Sequence, residues 1–554
     1  MLTATMNDRP TTPGKEYRCG TLVYTQRGLV ALFAWMLWGD FCFTLMDTVV
    51  PSIMPLKLRS LDAPNLLIGF VMTTLPGICN ITITPWLSFK SDRHRGPLGR
   101  RMPFIVYTLP FLALSMVAIG FSGDLATWMH TAFFAGGSIR QAQILILLLV
   151  VFAAAYEFFN VFVNTVYWYL FNDIVPEQWM GRFMGWFRLV GTLTSAAYNF
   201  FVFRYAESHM REIFLGAGLL YLLGFGIMCL KIREGEYPPP PDEGEHQGLL
   251  KKIRLFAREC FTSRFYWYVF LTYAFISMSG AMGVFGVFFL KSFGFTLADI
   301  GKMGAVSAIT VPLCFLFTGF IVDKFHPIRV AAYLGAFDAF FVFGNWIWLV
   351  VPNPPTVVFL WIIIIHGAVF RALLGATKDN AEMTRLMRLL PREKYGQYSG
   401  AMALVRAFAI MAGGLLAGSY LDLWRRVMPE GDFLYRLNFL YTGPLSIIAF
   451  SFHYRTYRAW KRLGGDTHYT PPDMSLEIAT LPPRADADTR VRWKLVAITA
   501  LTITGALLSN LVWVIYYLRY DYNLHHAVIF LVSLVSTALI YVLYLRFLKY
   551  MERA

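Results

Sequence analysis

Charged residues are scarce in this sequence. Lys, Arg, Asp and Glu make up 15% of the 554 residues, whereas 57% are hydrophobic and the mean hydropathy is +0.51. Soluble domains carry about 25% charged residues, so this composition predicts an integral membrane protein in contact with a lipid bilayer. The net charge of +15 does not indicate nucleic-acid binding, because the basic residues stand in short loops beside apolar runs.

Cysteine is also sparse, and recognisable enzyme motifs are missing. The six cysteines have no metal-ligand spacing and several lie within apolar runs, so we expect neither a disulfide framework nor a metal site. The sequence has no phosphate-binding glycine loop, zinc-protease motif or nucleophile elbow. We therefore predict a protein that is not an enzyme and has no cofactor. The first 27 residues are polar, and no cleavable signal peptide is expected.

Apolar runs of about 20 residues, the length that crosses a bilayer, recur along the whole chain. About twelve such spans are followed by two more. Their expected centres are Trp38, Pro76, Leu112, Tyr156, Thr194 and Leu220 in the first half, Ile276, Ile309, Phe340, Ile364, Ile410 and Ile447 in the second half, and Ala506 and Ser536 at the end. The sequence thus predicts an all-α, multi-pass protein of about 14 transmembrane helices, in the plasma (inner) membrane.

Two charged, proline-containing stretches divide these spans into groups. The expected domains are a cytoplasmic tail (1–27), an N-terminal six-helix bundle (28–231), a cytoplasmic linker (232–265), a C-terminal six-helix bundle (266–457), a second linker (458–492) and an extra transmembrane hairpin (493–548). Within the first linker, Gly248–Cys260 has helical spacing of its apolar residues, which predicts an amphipathic helix on the membrane surface.

A short repeat indicates that the two bundles are related. Pro176, Gly181 and Gly185 recur as Pro391, Gly396 and Gly400, each 215 residues later. Each copy closes the fourth span of its set and opens the fifth. Two parallel six-span repeats place a substrate site at their interface, near the middle of the membrane.

Two basic loops at equivalent places in the halves resemble the loop signature of the major facilitator superfamily. The second, GFIVDKFHPIR, has the Gly-x-x-x-Asp-Lys core of that signature. The first, Ser88–Phe104, has Ser in place of the glycine and a longer spacer, and is similar to the sugar–cation symporter branch, which includes sucrose-transporter-like proteins. The resemblance implies gating roles for Asp92, Arg93, Gly99, Arg100, Arg101, Gly319, Asp323 and Lys324. We expect Asp92 to pair with Arg182, with charges near Arg188 or with a helix N-terminus.

Ionisable and polar residues inside the spans are the candidates for coupling and substrate binding. A charge at the centre of a span costs about 2.5–3.5 kcal/mol, so it is rarely present without a role or a partner. The candidates are Asp40, Asp47, Glu157, Asn160, Arg188, Asp338, His366, Arg371 and Arg406. Asp40 and Asp47 are two helical turns apart and share one face. Trp38 is a candidate for stacking on a sugar ring, although tryptophan is common in any membrane protein.

These features favour a secondary active transporter that works by alternating access. The expected substrate is a sugar or glycoside and the expected coupling ion is a proton or sodium. Asp40 and Glu157 are the leading coupling residues, with Arg188 as their candidate partner; the alternative is a purely structural ion pair. Two other functions stay open: a facilitator for another small solute (drug, peptide or organic anion), or a transporter-like substrate sensor. A channel fits the two-fold repeat less well.

Overall fold

The computed structural model describes residues 17–134, 137–237, 249–344, 372–391, 394–427, 433–465 and 469–472. Over these residues the protein is all-α apart from one small antiparallel hairpin. Its strands are β1 (Tyr17–Cys19) and β2 (Leu22–Tyr24), which pair with Cys19 opposite Leu22. This hairpin lies in the segment that the sequence analysis treated only as a polar tail.

Seven helices form the N-terminal half. They are α1 (Gln26–Ser60), α2 (Asn65–Arg93), α3 (Met102–Gly120), α4 (Ser122–Phe133), α5 (Gln141–Ile174), α6 (Glu177–Ala197) and α7 (Met210–Lys231). The helices α2 and α7 each contain one π-helical turn, at residues 70–74 and 221–225. A further π-helical turn, Tyr198–Val202, follows α6.

Seven more helices are described in the second half of the chain. They are α8 (Leu249–Phe261), α9 (Arg264–Lys291), α10 (Leu297–Phe325), α11 (Pro327–Gly344), α12 (Ala372–Leu389), α13 (Tyr395–Val427) and α14 (Asn438–Arg462). The predicted amphipathic helix of the linker is therefore confirmed as a helix, α8. Its Phe256, Cys260 and Phe261 pack into the apolar core of this half.

Local sequence explains where several of these helices begin. Thr25 caps α1 by accepting a hydrogen bond from the Gly28 amide at 3.2 Å. Thr296 and Asp299 form a reciprocal capping box at the start of α10. Pro176 stands immediately before α6, and its repeat partner Pro391 stands shortly before α13. Proline has no amide hydrogen to lose at a helix start, so both copies of the repeat mark a helix boundary.

Among the described residues, eight helices are long and apolar enough to cross a membrane. The protein is therefore an all-α, multi-pass integral membrane protein. The spans expected near Thr194, Phe340 and Ile447 lie in α6, α11 and α14, which are helical but are not among those eight. The spans expected near Ile364, Ala506 and Ser536, and with them the C-terminal hairpin, lie outside the described residues. The total of about 14 spans stays a prediction.

The two halves pack together at one end of the molecule. We call the end nearest the basic loop, residues 94–101, the inner end, and the opposite end the outer end. One apolar core runs through the N-terminal half and continues into Phe285, Phe288 and Tyr435 of the second half. A second core, around Tyr266 and Trp460, lies within the second half. The outer end is thus where apolar packing joins the halves.

The second half extends further along the chain than its expected boundary at residue 457. Helix α14 continues to Arg462. Beyond it, the Tyr469 hydroxyl donates a hydrogen bond to the Leu389 carbonyl at 2.8 Å, and the Tyr266 hydroxyl donates to the Pro472 carbonyl at 3.2 Å. The start of the segment expected to be a linker therefore packs against the bundle.

Candidate functional site

Asp40 lies in the middle of α1 and is almost completely buried, with 1% of its surface exposed. Its Oδ1 accepts a hydrogen bond from the Thr44 hydroxyl at 3.3 Å, while its Oδ2 has no hydrogen-bond partner. Helix α6 approaches closely at Gly191, where an added Cβ would lie 3.4 Å from Asp40 Oδ2. Arg188, one turn away on α6, interacts electrostatically with Asp40. The structure thus places Arg188 near Asp40 without an ion pair between the two side chains.

Asp47, Glu157 and Asn160 form a second polar group, which we call the α1–α5 acid cluster. Asn160 Nδ2 donates a hydrogen bond to Asp47 Oδ1 at 3.4 Å, and Asn160 Oδ1 has no hydrogen-bond partner. Glu157 is half-buried and lies close enough to Asp47 for the two carboxylates to repel each other. Asp47 is exposed, yet Tyr156 and Tyr221 surround it on α5 and α7. Asp47 therefore lies near side chains of α5 and α7 while part of its own surface stays open.

The two aspartates of α1 have different neighbours although they share one helical face. Asp40 meets α6 at Gly191, and Asp47 meets α5 at Asn160. An α-helix rises about 1.5 Å per residue, so the seven-residue spacing separates them by about 10 Å along the axis. The N-terminal half therefore holds two separate carboxylate sites, one beside an arginine and one beside a second carboxylate.

Trp38 is turned toward α7. Its indole N–H donates a hydrogen bond to the Gly224 carbonyl at 3.0 Å, and its ring stacks on Phe41 with a centroid distance of 5.6 Å. An added Cβ at Gly224 would lie 3.3 Å from the Trp38 ring. The ring is 40% exposed, so one part of it stays accessible. Its role in sugar stacking stays a prediction.

The candidates of the second half are described only in part. Arg406 is exposed on α13. Asp338 lies in α11 and Asp323 in α10, but their side chains lie outside the described atoms, and His366 and Arg371 lie outside the described residues. Their predicted roles stay predictions.

The basic loop closes on itself at the inner end. Arg100 forms a bidentate ion pair with Asp173 at the end of α5, with one hydrogen bond of 2.9 Å. Arg101 reaches the same Asp173 at 3.2 Å, and also contacts Asp92 and Ser91. The Arg101 side chain is 6% exposed and that of Asp173 is 8% exposed. Two arginines therefore tie the end of α2 to the end of α5.

The linker adds a third carboxylate to this arrangement. Glu234 accepts hydrogen bonds from the backbone amides of Arg100 at 2.9 Å, Arg101 at 2.8 Å and Met102. It thereby caps the N-terminus of α3, where backbone amides lack partners within the helix. Burial raises the pKa of Glu234, and the three amide hydrogen bonds oppose that rise. We call Asp92, Arg100, Arg101, Asp173 and Glu234 the inner clasp.

Gly99 is required by the shape of the inner clasp. Its φ is +94°, a conformation that side chains disfavour. A Cβ added there would lie 2.7 Å from Glu234 Cβ and Cδ. Gly99 therefore allows both the turn of the loop and the approach of Glu234, which gives a physical reason for this glycine in the loop.

The predicted pairing of Asp92 was wrong. Asp92 pairs with Arg101, and Arg182 lies over the Trp179 ring, 4.7 Å from its centroid. The loop folds back within about ten residues, and this turn places Arg101 next to Asp92. Arg93, the last residue of α2, lies over the Phe89 ring, 3.7 Å from its centroid.

The second loop differs in form from the first. Gly319 and Lys324 lie within α10, which ends at Phe325, and Lys324 Nζ lies 5.5 Å from the centroid of the Phe325 ring. His326 follows with a φ of +66° and turns the chain into α11. The gating role of this loop stays a prediction.

Sequence reasoning missed a buried charged group in the second half. Arg385 is fully buried and pairs with Glu382 at 2.6 Å. His453 Nδ1 lies 3.4 Å from Glu382, and the Tyr273 hydroxyl donates to Glu382 at 2.6 Å. These side chains connect α9, α12 and α14. The spacing of Glu382 and Arg385, three residues apart in a helix, was the available signal.

A polar contact between the halves at the outer end was also missed. Asp422 of α13 accepts hydrogen bonds from the Asn65 amide at 2.8 Å, the Asn65 side chain at 2.9 Å and the Leu66 amide at 2.8 Å. The Tyr435 hydroxyl donates to Asn65 Oδ1 at 2.9 Å. We call Asn65, Leu66, Asp422 and Tyr435 the outer clasp. It places a carboxylate on the N-terminus of α2, where the helix dipole favours negative charge.

Among the described residues, no group of three His, Cys, Asp or Glu side chains is placed to hold a metal ion. The acid cluster has two carboxylates and one amide, so its donor set is of a different kind.

Comparison with known proteins places the chain in a family. The model of the Major Facilitator Superfamily matches residues 36–414. The chain belongs to the Major Facilitator Superfamily, and it is a membrane transporter of that family. A comparison with curated proteins found no match.

Several solved transporters have a similar fold. A bacterial homologue of the human lysosomal transporter Spinster, in an inward-facing and unoccupied conformation, has a TM-score of 0.54 at 13% identity, covering 81% of this chain and 100% of that chain. The nucleoside transporter NupG has 0.54 at 13% identity, covering 76% and 98%. A bacterial homologue of the iron transporter ferroportin, inward-facing, has 0.53 at 14% identity, covering 77% and 99%. At such identities the likeness concerns the fold alone.

Proposed function

We propose that the protein is a secondary active transporter that moves a sugar or glycoside together with a proton or sodium ion by alternating access. The observation that carries this proposal is the pair of carboxylate sites in the middle of α1. Arg188 lies near Asp40, and Glu157 lies near Asp47, whose side chain is exposed. Ionisable groups at this depth are costly to insert, so they are rarely present without a role such as a transport path.

The contacts at the two ends support the alternating-access part of the proposal. The outer clasp and a 2.9 Å hydrogen bond from the Thr74 hydroxyl to the Met411 carbonyl join the halves from the outer end toward the middle. The inner clasp lies within the N-terminal half and its linker. We infer an inward-facing state, in which the outer clasp must open before the site can face the other side.

An organic anion is the second substrate class that an observation favours. Arg188 and Arg406 are both exposed, and they occupy similar depths in α6 and α13, the helices that follow the repeated prolines. Two arginines, one from each half, suit a carboxylate or phosphate group on a substrate. A sugar acid or sugar phosphate would satisfy both this observation and the sugar proposal.

Uptake by purified protein tests the proposal. The full chain is reconstituted in vesicles, and accumulation of labelled sugars, sugar phosphates and organic anions is measured with an imposed proton or sodium gradient. We expect gradient-driven accumulation of one class, and its loss in Asp40→Asn. Accumulation that does not depend on either gradient would contradict coupling of transport to a proton or sodium ion. Binding without any uptake would contradict transport and favour a substrate sensor.

A further inference from the structure

The α1–α5 acid cluster has no cation of its own in the surroundings that the structure describes. The electrostatic neighbours of Asp47 and Glu157 are each other, Tyr156 and Tyr221, with the nearby thiol of Cys79 on α2. Asp40, seven residues away on the same helix, has Arg188. Two carboxylates at mid-membrane depth repel each other, so the cluster must be neutralised by a bound proton or by a cation from outside the protein.

The amide of Asn160 provides an independent sign of a missing ligand. Asn160 is 7% exposed, its Nδ2 is directed to Asp47, and its Oδ1 has no hydrogen-bond partner. A buried amide oxygen without a partner costs about 1–3 kcal/mol. A protonated carboxyl group can donate one hydrogen bond, to Asn160 Oδ1 or to the other acid, whereas a metal cation bound among the three side chains contacts oxygens of all three at once.

The kind of ion follows from the kind of ligand. Carboxylate and amide oxygens are hard ligands, which suit sodium, magnesium or calcium and not the soft transition metals. A coupling ion must also leave the site in each cycle, and a doubly charged ion between two carboxylates would be held far more strongly than a singly charged one. Sodium therefore fits both the ligands and the cycle.

We propose that Asp47, Glu157 and Asn160 form a sodium site of the transporter, with ligands from α1 and α5. This inference rests on the proposed transport function and names the coupling ion for it. Sodium at the cluster would hold α1 against α5, and its release would loosen that contact.

Thermal unfolding of the purified full-length protein tests the site without a substrate. Sodium chloride is titrated against choline chloride at constant ionic strength and at two pH values. We expect sodium to raise the unfolding midpoint of the native protein in a saturable manner, because an ion that binds the folded state stabilises it. In Asp47→Asn, Glu157→Gln and Asn160→Ala, the apparent sodium affinity should fall at least about tenfold.

A matched variant and a second signature separate a sodium site from a structural role. Asp124→Asn removes a carboxylate at the outer end, outside the acid cluster, and should keep the sodium response. In sodium-free buffer, Asp47→Asn and Glu157→Gln should unfold at a higher temperature than the native protein, since each removes an uncompensated charge. A purely structural role predicts the opposite sign.

Two outcomes would overturn the inference. One is an equal response of the native protein to sodium and to choline. The other is an unchanged sodium response in Asp47→Asn. If either is found while gradient-driven uptake persists, the sodium site at the acid cluster is ruled out and the transport proposal stands. If sodium binds as expected but no solute is taken up, the transport proposal fails and the site remains.

Discussion

Loss of the outer clasp should open the outer end of the protein. In Asp422→Asn, the side chain keeps its size, but one of its two acceptor oxygens is replaced by an NH₂ group. That group cannot accept the hydrogen bond that the Asn65 or Leu66 amide donates to Asp422. The variant also loses the attraction of the carboxylate to the N-terminus of α2. Since this contact joins residues 357 positions apart, it bears directly on how the halves hold together.

The size of the effect can be worked out from the contacts. Removing the acceptor at a helix N-terminus costs about 0.5–2 kcal/mol. Asp422 is half-buried, and the Tyr435–Asn65 hydrogen bond is left in place, so we take a loss of about 1–2 kcal/mol. That free energy changes an equilibrium between closed and open outer ends by about five- to thirtyfold.

Cysteine labelling measures this change. Ala63 stands in the outer loop before α2 and is fully buried, so Ala63→Cys should react with a membrane-impermeant maleimide only when the outer end opens. We expect labelling about five to thirty times faster when Asp422→Asn is added. The control is Asp124→Asn, which removes an outer-end ion pair with Arg211 that lies within one half. Equal labelling rates with and without Asp422→Asn would refute the role of the outer clasp.

Three further changes have definite expected outcomes. Asp40→Asn should insert normally but lose concentrative uptake, and equal accumulation in reconstituted vesicles would contradict a coupling role. Gly99→Ala should lower the unfolding midpoint, because its Cβ meets Glu234 and its φ is positive, whereas Gly123→Ala, with no atom near the added Cβ, should not. Truncation after Pro472, which keeps the packed segment beyond α14, should leave measurable uptake, and its complete loss from inserted protein would assign the C-terminal spans to the mechanism.

The amphipathic and apolar patterns of the sequence predicted the fold class. Long apolar runs can satisfy their backbone only as helices in a membrane, so the all-α, multi-pass class followed from their lengths. The same reasoning named Asp40, Asp47, Glu157 and Asn160, because polar residues stand out inside apolar runs. The Gly-x-x-x-Asp-Lys loop indicated the family, and the family match over residues 36–414 confirmed it.

Such patterns do not identify contacts between residues that are far apart in the sequence. Asp173 and Glu234 were not among the sequence candidates, although they meet Arg100 and Arg101 at the inner end. Both lie near helix ends, where a charge is ordinary and gives no signal. Glu382 and Arg385 were missed because the buried ion pair in α12 has the same sequence spacing as a solvent-exposed pair in any helix.

The sequence by itself determined that the chain is an all-α membrane protein, which loop is basic and which residues within its apolar runs are ionisable. Helical periodicity places residues on a common face but leaves the rotation of that face and its neighbouring helix open. Tertiary structure decided that Asp40 meets α6, that Asp47 meets α5, and that Asp422 reaches α2 from the other half. Each of these contacts depends on how whole helices pack, which is set by side chains distributed over the entire chain.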